Sequence, residues 1–357
     1  MKNQDIQEII SLLKLVKIGD SGKDKQKEDQ FTQLQPIDIS YPVHLQETLP
    51  LVSVDGSYCF LFSFLGAETW IVLFRISVTE YCIENKEGKI YYCIKEPPKV
   101  YDHLNLLSFN ELVYSLQPEV FSIAANIASG FQERKAQLFA SNVMLYLEDK
   151  TLEHLAETKN NCILVKDGAL LSYKALKREE IYKDILLHCK KNNIAFAGIS
   201  KSTSTHFLEH TYTDDYFLKK FYTQKIPDMA YVYVPEVLFD DQTKFDVWGE
   251  VHFAKLHRDA IKWFRVDISS SVKDKSNFFS TIAAYSKVHV VPGYPIGLIE
   301  AHKLAKSVRD LKETYELELL QTLKDSGLSS EDILDGAVDM NGREYKSFHE
   351  ILDQISK

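Results

Sequence analysis

The sequence lacks the features that define several large classes of protein. Its five cysteines include no C-x-x-C pair and no Cys/His cluster at the spacing of a zinc site. It contains no run of about 18 apolar residues, so we expect no membrane-spanning helix. Only 14 glycines and 10 prolines occur among 357 residues, which argues against long flexible linkers. These absences exclude a zinc module, a disulfide-rich scaffold and a helical membrane protein.

Basic residues are also few relative to acidic ones. The chain has 42 Lys and Arg against 51 Asp and Glu, and its formal net charge is −9. A protein that binds nucleic acid over its whole surface is normally basic, so any such contact is expected in a local patch or a channel. An odd number of cysteines and the absence of a secretory signal predict a cytoplasmic location.

The first half of the chain has the hydrophobic pattern of an antiparallel unit followed by helices. Strand-like runs occupy residues 51–65, 70–84 and 89–95, and the turn sequence NKEG lies at 85–88. Residues 108–158 have a helical pattern, with breaks near a proline and a glycine. The chain is therefore predicted to begin its sheet with a meander of three strands.

The second half alternates between strands and helices. A strand at 162–166, a helix at 173–191 and a strand at 194–199 predict a parallel crossover unit. Further strands and helices are predicted at 230–238, 246–256, 263–268, 276–286 and from Pro295 onward. This order predicts an α/β protein with a ribonuclease-H-like mixed sheet flanked by helices, extended by additional strands and terminal helices.

Two acids interrupt strand-like runs in the same way. Asp55 follows an apolar run and precedes Gly56, and Asp167 follows another run and precedes Gly168. An acid in a core strand is costly to bury unless it is paired or bound to a metal. A turn acid that caps local amides is the alternative explanation for Asp55. Two such acids at neighbouring strand ends favour a site for hard divalent cations, with the carboxylates within about 5 Å of each other.

A third acid is expected from the helical segment that precedes Asp167. Glu148 follows an apolar triplet and lies at the edge of the apolar stripe, whereas Glu153 and Glu157 suit a solvated face. We therefore assign Glu148 to the metal site and keep Glu153 as the alternative. A surface acid is the competing interpretation of Glu148.

Two further motifs suit a phosphate or metal site. Lys201 and the hydroxyl of Ser202 follow a strand, where a positive charge and hydrogen-bond donors can bind phosphate. A plain polar loop is the alternative, since the P-loop spacing is absent. The helix that begins at Pro295 brings Tyr294 and His302 near one stripe. His302 is a candidate metal ligand, although a lone histidine on a helix is usually structural.

Together these pieces resemble the NurA family of archaeal and bacterial nucleases. The resembling segments are VDGS at 54–57, LVKDGAL at 164–170, GISKS at 198–202, and GYP at 293–295 through EAH at 300–302. The resemblance implies a ribonuclease-H-like core, Mn²⁺-dependent DNA cleavage and a homodimer. It also implies partnership with HerA, a hexameric ATP-driven DNA translocase, in DNA-end resection. The corresponding domains are an N-terminal helix and polar loop at 1–40, a nuclease domain at 41–325 and a helical tail at 326–357.

The resemblance also implies roles for individual residues. Asp55 and Asp167 match the metal-binding acids of the family, and Lys201 matches the lysine after the fourth strand. Tyr294 and His302 match the tyrosine and histidine of the C-terminal motif. The implied cofactor is Mn²⁺, with Mg²⁺ as the alternative, in a two-metal site. The residues expected in this catalytic and metal site are Asp55, Glu148, Asp167, Tyr294 and His302.

The leading hypothesis is a metal-dependent deoxyribonuclease with 5′–3′ exonuclease and single-strand endonuclease activity. Its acidic net charge is compatible with DNA in a confined channel, with contacts from Lys201, Ser202, Lys255, Arg258 and Lys262. The alternative is a non-catalytic ribonuclease-H-like subunit that binds DNA or docks on an ATPase ring. Predicted amphipathic helices at 3–18 and 345–355 favour a homodimer with at least one of them at the interface.

Overall fold

Two β-sheets and six α-helices make up the part of the chain that the structure, a computed structural model, describes. The described residues are 35–36, 48–64, 69–86, 89–108, 132–173, 178–203, 205, 213–221, 228–234, 245–327 and 337–338. The predicted helices at 3–18 and 345–355 lie outside them, as does nearly all of the polar segment at 19–35. Within the described residues, no helix is both long and apolar enough to span a bilayer.

The strands and helices are numbered here in chain order. The strands are β1 Gln35–Pro36, β2 Leu51–Phe64, β3 Thr69–Lys86, β4 Lys89–Ser108, β5 Ile163–Asp167, β6 Leu171–Tyr173, β7 Ala195–Ser200, β8 Ala230–Tyr233, β9 Phe245–Val247, β10 Glu250–Lys255, β11 Phe264–Ile268 and β12 Ala337–Val338. The helices are α1 Gln132–Thr158, α2 Glu179–Lys191, α3 Asp214–Phe221, α4 Lys275–Ala284, α5 Ile296–Lys306 and α6 Lys312–Asp325, with a 3-10 turn at Ser307–Arg309 between the last two.

The main sheet is mixed, and its strand order includes β8-β10-β11-β7-β5-β2-β3-β4. Strands β2, β3 and β4 form an antiparallel meander, whereas β5 runs parallel to both β2 and β7. Helix α2 connects β5 to β7, which is the predicted parallel crossover. The predicted α/β class with a ribonuclease-H-like mixed sheet is confirmed.

Helices cover the central strands on both faces. Odd-numbered positions of β2 and β5, such as Leu51 and Val165, pack with Phe279 of α4 and Leu298 of α5. Even-numbered positions, such as Val52, pack in a second cluster with residues of α1 and α2. Because side chains alternate along a strand, Asp55 and Asp167 are on the face that α5 covers.

Strand β4 is longer than the sequence pattern predicted. It continues to Ser108, past the predicted end at residue 95 and through Pro97 and Pro98. It is the edge strand of the sheet, and proline is tolerated there because one side of the strand needs no ladder hydrogen bond. The pairing of β3 with β4 also shifts register around Glu80. The start of the predicted helical segment, Ser108, therefore belongs to a strand.

Three other predicted boundaries differ from the structure. The run at 246–256 is two strands, since β9 pairs with β6 in the small sheet and β10 joins the main sheet. Gly249 separates them, and a Cβ there would lie 2.8 Å from the carbonyl oxygen of Ile268. The helix predicted from Pro295 begins at Ile296 and ends at Lys306, and α6 is a separate helix. The helix predicted from residue 173 begins at Glu179.

Candidate metal centre

Strand pairing brings the two predicted acids together. Val54 of β2 pairs with Lys166 of β5, so that Asp55 and Asp167 follow side by side. One carboxylate oxygen of each acid and one ring nitrogen of His302 all lie within 4.8 Å of one another. The predicted separation of the two carboxylates is therefore confirmed. Of the described residues, these three form the one cluster that brings His, Cys, Asp or Glu ligand atoms so close.

The segment around α5 supplies two side chains that hold the acids. His302 Nδ1 lies 2.7 Å from Asp55 Oδ2, and the Tyr294 hydroxyl donates to Asp167 Oδ1 at 2.9 Å. Burial and the nearby Asp167 hold the pKa of Tyr294 well above its usual value, so the hydroxyl remains a donor. Burial, Lys201 and Lys306 lower the pKa of His302, which favours the neutral imidazole. A neutral imidazole can bind a metal or accept a proton.

Lys201 lies directly against the acids. Its ammonium group donates to Asp167 and lies 3.7 Å from Asp55 Oδ2. Its Nζ is also 5.6 Å from the ring centroid of Tyr294. The lysine therefore supplies the positive charge that faces both carboxylates in the metal-free protein.

Glu148 approaches Asp55 from the opposite face of the sheet, outside the 4.8 Å cluster of Asp55, Asp167 and His302. A Cβ at Gly56 would lie 2.6 Å from Glu148 Oε1, so glycine leaves the space that this carboxylate enters. Glu148 is 2% exposed and its Oε2 has no hydrogen-bond partner. The alternative acid, Glu153, is turned to the surface and pairs with Lys150 at 2.9 Å. Of the two glutamates, Glu148 is the one that projects toward the aspartates.

The electrostatics of the cluster favour a bound cation. Burial, Asp167 and Glu148 raise the pKa of Asp55 to about 8. Burial also raises the pKa of Glu148 to about 7. The buried carboxyl groups of Asp55 and Glu148 therefore resist simultaneous ionisation unless a positive charge compensates them. Hard oxygen ligands, one imidazole and a buried carboxylate oxygen without a hydrogen bond are a donor set that fits Mn²⁺ or Mg²⁺.

A buried charge network that the sequence pattern did not reveal lies beside Glu148. Asp149 is fully buried and accepts hydrogen bonds from Lys166 Nζ at 3.1 Å, Arg178 at 2.6 Å and the Tyr182 hydroxyl at 3.3 Å. Lys166 Nζ also lies 3.9 Å from Glu148 Oε2. The lysine inside the apolar strand run was the sequence signal for this network, because a lysine is rarely buried without a partner.

We expect Asp149→Asn to destabilise the protein by about 3 kcal/mol, because it leaves Lys166 and Arg178 buried without their compensating charge. Urea unfolding measures this free energy. Asp184 on α2 is exposed, and the matched Asp184→Asn variant should change the free energy of unfolding by less than about 0.5 kcal/mol. Equal effects of the two substitutions would show that the buried network contributes no more to stability than an exposed aspartate does.

The residues predicted to contact DNA are not all at the surface. Ser202 is exposed, and the side chain of Arg258 is 76% exposed and lies beside Asp259. Lys262 donates to the backbone carbonyl of Lys201. Lys255 is only 2% exposed, so its ammonium group does not face solvent. Lys201 is therefore the one of these residues that touches the acids directly.

Comparison with known proteins identifies relatives of this chain. The profile described as the NurA domain matches residues 50–233, which include Asp55, Glu148, Asp167 and Lys201. The crystal structure of the NurA nuclease from Sulfolobus solfataricus is 13% identical and has a TM-score of 0.50, over 92% of this chain and 99% of that chain. A crystal structure of NurA with manganese is 12% identical and has a TM-score of 0.47, over 89% of this chain and 97% of that one. No curated protein matches the sequence.

Proposed function

The chain belongs to the NurA family, and on that premise we propose that it is a metal-dependent nuclease that hydrolyses DNA. The observation that carries the proposal is the convergence of Asp55, Asp167 and His302 within 4.8 Å. Glu148 adds a buried carboxylate oxygen without a hydrogen-bond partner. In a purely structural cluster, burial of this oxygen would cost desolvation free energy that no hydrogen bond compensates, whereas a bound cation would compensate it.

Asp55, Asp167, Glu148 and His302 would hold the metal, which we propose to be Mn²⁺, with Mg²⁺ as the alternative, in a two-metal site. A bound divalent ion would supply charge stabilisation for the phosphodiester under attack. Lys201 Nζ, which lies beside both acids, would add a positive charge for a phosphate oxygen.

The tyrosine and the histidine have distinct tasks in this proposal. The Tyr294 hydroxyl orients the Asp167 carboxylate, and because Tyr294 is buried its side chain is shielded from solvent. The lowered pKa of His302 leaves one ring nitrogen unprotonated at neutral pH, and this nitrogen can accept and transfer a proton. Tyr294 directly precedes the Pro295 N-cap of α5, and His302 lies on α5 itself, so this one segment places both residues beside the strand ends.

The finer assignments rest on the family resemblance. We propose 5′–3′ exonuclease and single-strand endonuclease activity, with a HerA-type hexameric ATPase as the partner in DNA-end resection. We also propose a homodimer in the cytoplasm and a nuclease domain at 41–325, between an N-terminal segment at 1–40 and a tail at 326–357. Lys201, Ser202, Arg258 and Lys262 remain candidates for contact with DNA.

The purified full-length protein is expected to cleave end-labelled single-stranded DNA in Mn²⁺ and to be inactive in EDTA, because the carboxylates need a cation to act on a phosphodiester. Denaturing gels measure the products, and labels at either end reveal the polarity. DNA binding at low salt without cleavage in any divalent ion would instead favour the non-catalytic subunit. Absence of both binding and cleavage would leave no role with nucleic acid.

A further inference from the structure

Strand β2 extends well past the strand that lies beside it. It pairs with β5 only over Leu51–Val54, yet it continues to Phe64. In the described part of the chain, no strand pairs with this edge of β2 between Asp55 and the contact of β12 at Ser63. A groove of about 600 Å³ lies along this stretch, and its lining begins at Gly56 and His302, beside the acid cluster.

One wall of the groove is strongly basic. Lys306, Arg309 and Lys312 line it, spaced three residues apart across the end of α5, the 3-10 turn and the start of α6. Lys306 and Arg309 are exposed, and neither forms an ion pair with an acid among the described residues. Lys312 pairs with Glu316 at 3.4 Å. The groove therefore offers two uncompensated positive charges, although the chain as a whole is acidic.

Aromatic rings line the same groove. Tyr58 and Phe60 contribute to its lining from β2, with ring centroids 5.8 Å apart in an edge-to-face contact. The Tyr58 hydroxyl lies 3.1 Å from Ser141 Oγ of α1, which anchors the ring. A positive wall beside fixed aromatic rings is the combination by which proteins bind single-stranded nucleic acid, through phosphate contacts and base stacking.

On the basis of the proposed nuclease function, we propose that this groove binds the nucleic-acid strand next to the phosphodiester at the acid cluster. Lys306 and Arg309 contact its phosphates, and Tyr58 offers a surface for a base. The groove is continuous with the acid cluster because His302 belongs to both. The residues predicted on the other side of the cluster fit this task less well, since Lys255 is buried and Lys262 is bound to a backbone carbonyl.

The test is the affinity of a fluorescein-labelled oligothymidylate, measured by anisotropy in EDTA at several KCl concentrations. The double variant Lys306→Gln/Arg309→Gln is expected to bind at least tenfold more weakly. Its slope of log affinity against log salt should fall by about 1.4, at about 0.7 for each phosphate contact with a single strand. The control Lys183→Gln/Lys190→Gln removes two positive charges from exposed positions of α2 and should bind like the wild type.

A second measurement separates the groove from the metal centre. Hydrolysis of bis(p-nitrophenyl) phosphate in Mn²⁺ needs the metal centre but no long strand. Because Lys306 and Arg309 also lower the pKa of His302, the rates are compared at about pH 8.5, where the imidazole is neutral with or without these two charges. At that pH the groove variant should retain the wild-type rate. Oligonucleotide affinity equal to that of the wild type, or loss of the small diester activity together with the affinity, would overturn the groove assignment. If the wild type cleaves neither single-stranded DNA nor bis(p-nitrophenyl) phosphate in Mn²⁺, the proposed nuclease function is wrong. The anisotropy comparison still decides whether the groove binds a nucleic-acid strand.

Discussion

Replacing Asp55 by asparagine is expected to lower metal-dependent cleavage of single-stranded DNA by about 10³-fold, while the metal-free protein becomes more stable. Asp55 lies at the centre of the cluster, in contact with His302 and near Lys201, so its charge is needed to hold a cation. Asparagine keeps the side-chain oxygen that accepts the Gly56 N–H at 2.9 Å. The substitution therefore removes a charge and leaves this local hydrogen bond of strand β2 in place.

The stability gain of this variant depends on pH. Burial, Asp167 and Glu148 raise the pKa of Asp55 from 3.8 to about 8. A carboxyl group whose pKa is higher in the folded than in the unfolded protein stabilises the fold fully below pH 4, and this contribution is lost as the pH rises toward 8. Relative to Asp55→Asn, the wild type should therefore lose up to about 5 kcal/mol of unfolding free energy between pH 4 and pH 8.

Urea unfolding in EDTA at both pH values measures this difference, and a cleavage assay in Mn²⁺ measures the loss of activity. Mn²⁺ should stabilise the wild type more than the variant, because binding to the folded state adds its free energy to folding. If Asp55 were only a turn acid, the variant would stay active and would not gain stability at high pH. That outcome would reject the metal site.

Glu148→Gln is expected to reduce cleavage by at least about 10²-fold and to weaken Mn²⁺ binding in isothermal titration calorimetry. Glu148 is the acid whose buried Oε2 has no hydrogen-bond partner, its nearest charge being Lys166 Nζ at 3.9 Å. Burial raises the pKa of its carboxyl group to about 7, so loss of its charge removes a cost at neutral pH. The melting temperature in EDTA should therefore hold or rise while activity falls.

Glu153→Gln is the matched control, since Glu153 lies on the same helix and pairs with Lys150 at the surface. It should leave cleavage, Mn²⁺ binding and stability close to those of the wild type. The reverse pattern, with Glu153 essential and Glu148 dispensable, would show that the assignment of the third acid is wrong. Reduced activity together with a lower melting temperature for Glu148→Gln would indicate a structural role through Lys166.

The sequence alone was sufficient to identify the two aspartates, because each breaks an apolar strand pattern and is followed by glycine. An acid in that setting must find a partner, and parallel strands place their ends at one edge of the sheet. The apolar stripe of α1 likewise separated Glu148 from Glu153. The positions of these acids could be predicted because the local hydrophobic periodicity of an element indicates which of its residues are buried.

Only the tertiary structure decided which groups meet across elements. Asp149 accepts hydrogen bonds from Lys166 and Arg178, which lie in other parts of the chain. The groove beside Tyr58 exists because β2 continues beyond the residues that pair with β5. Lys255 is buried, although it was one of the predicted DNA contacts. The local hydrophobic periodicity indicates whether a residue is buried. The partners of that residue depend on how distant segments pack against each other, and this packing is a property of the whole fold.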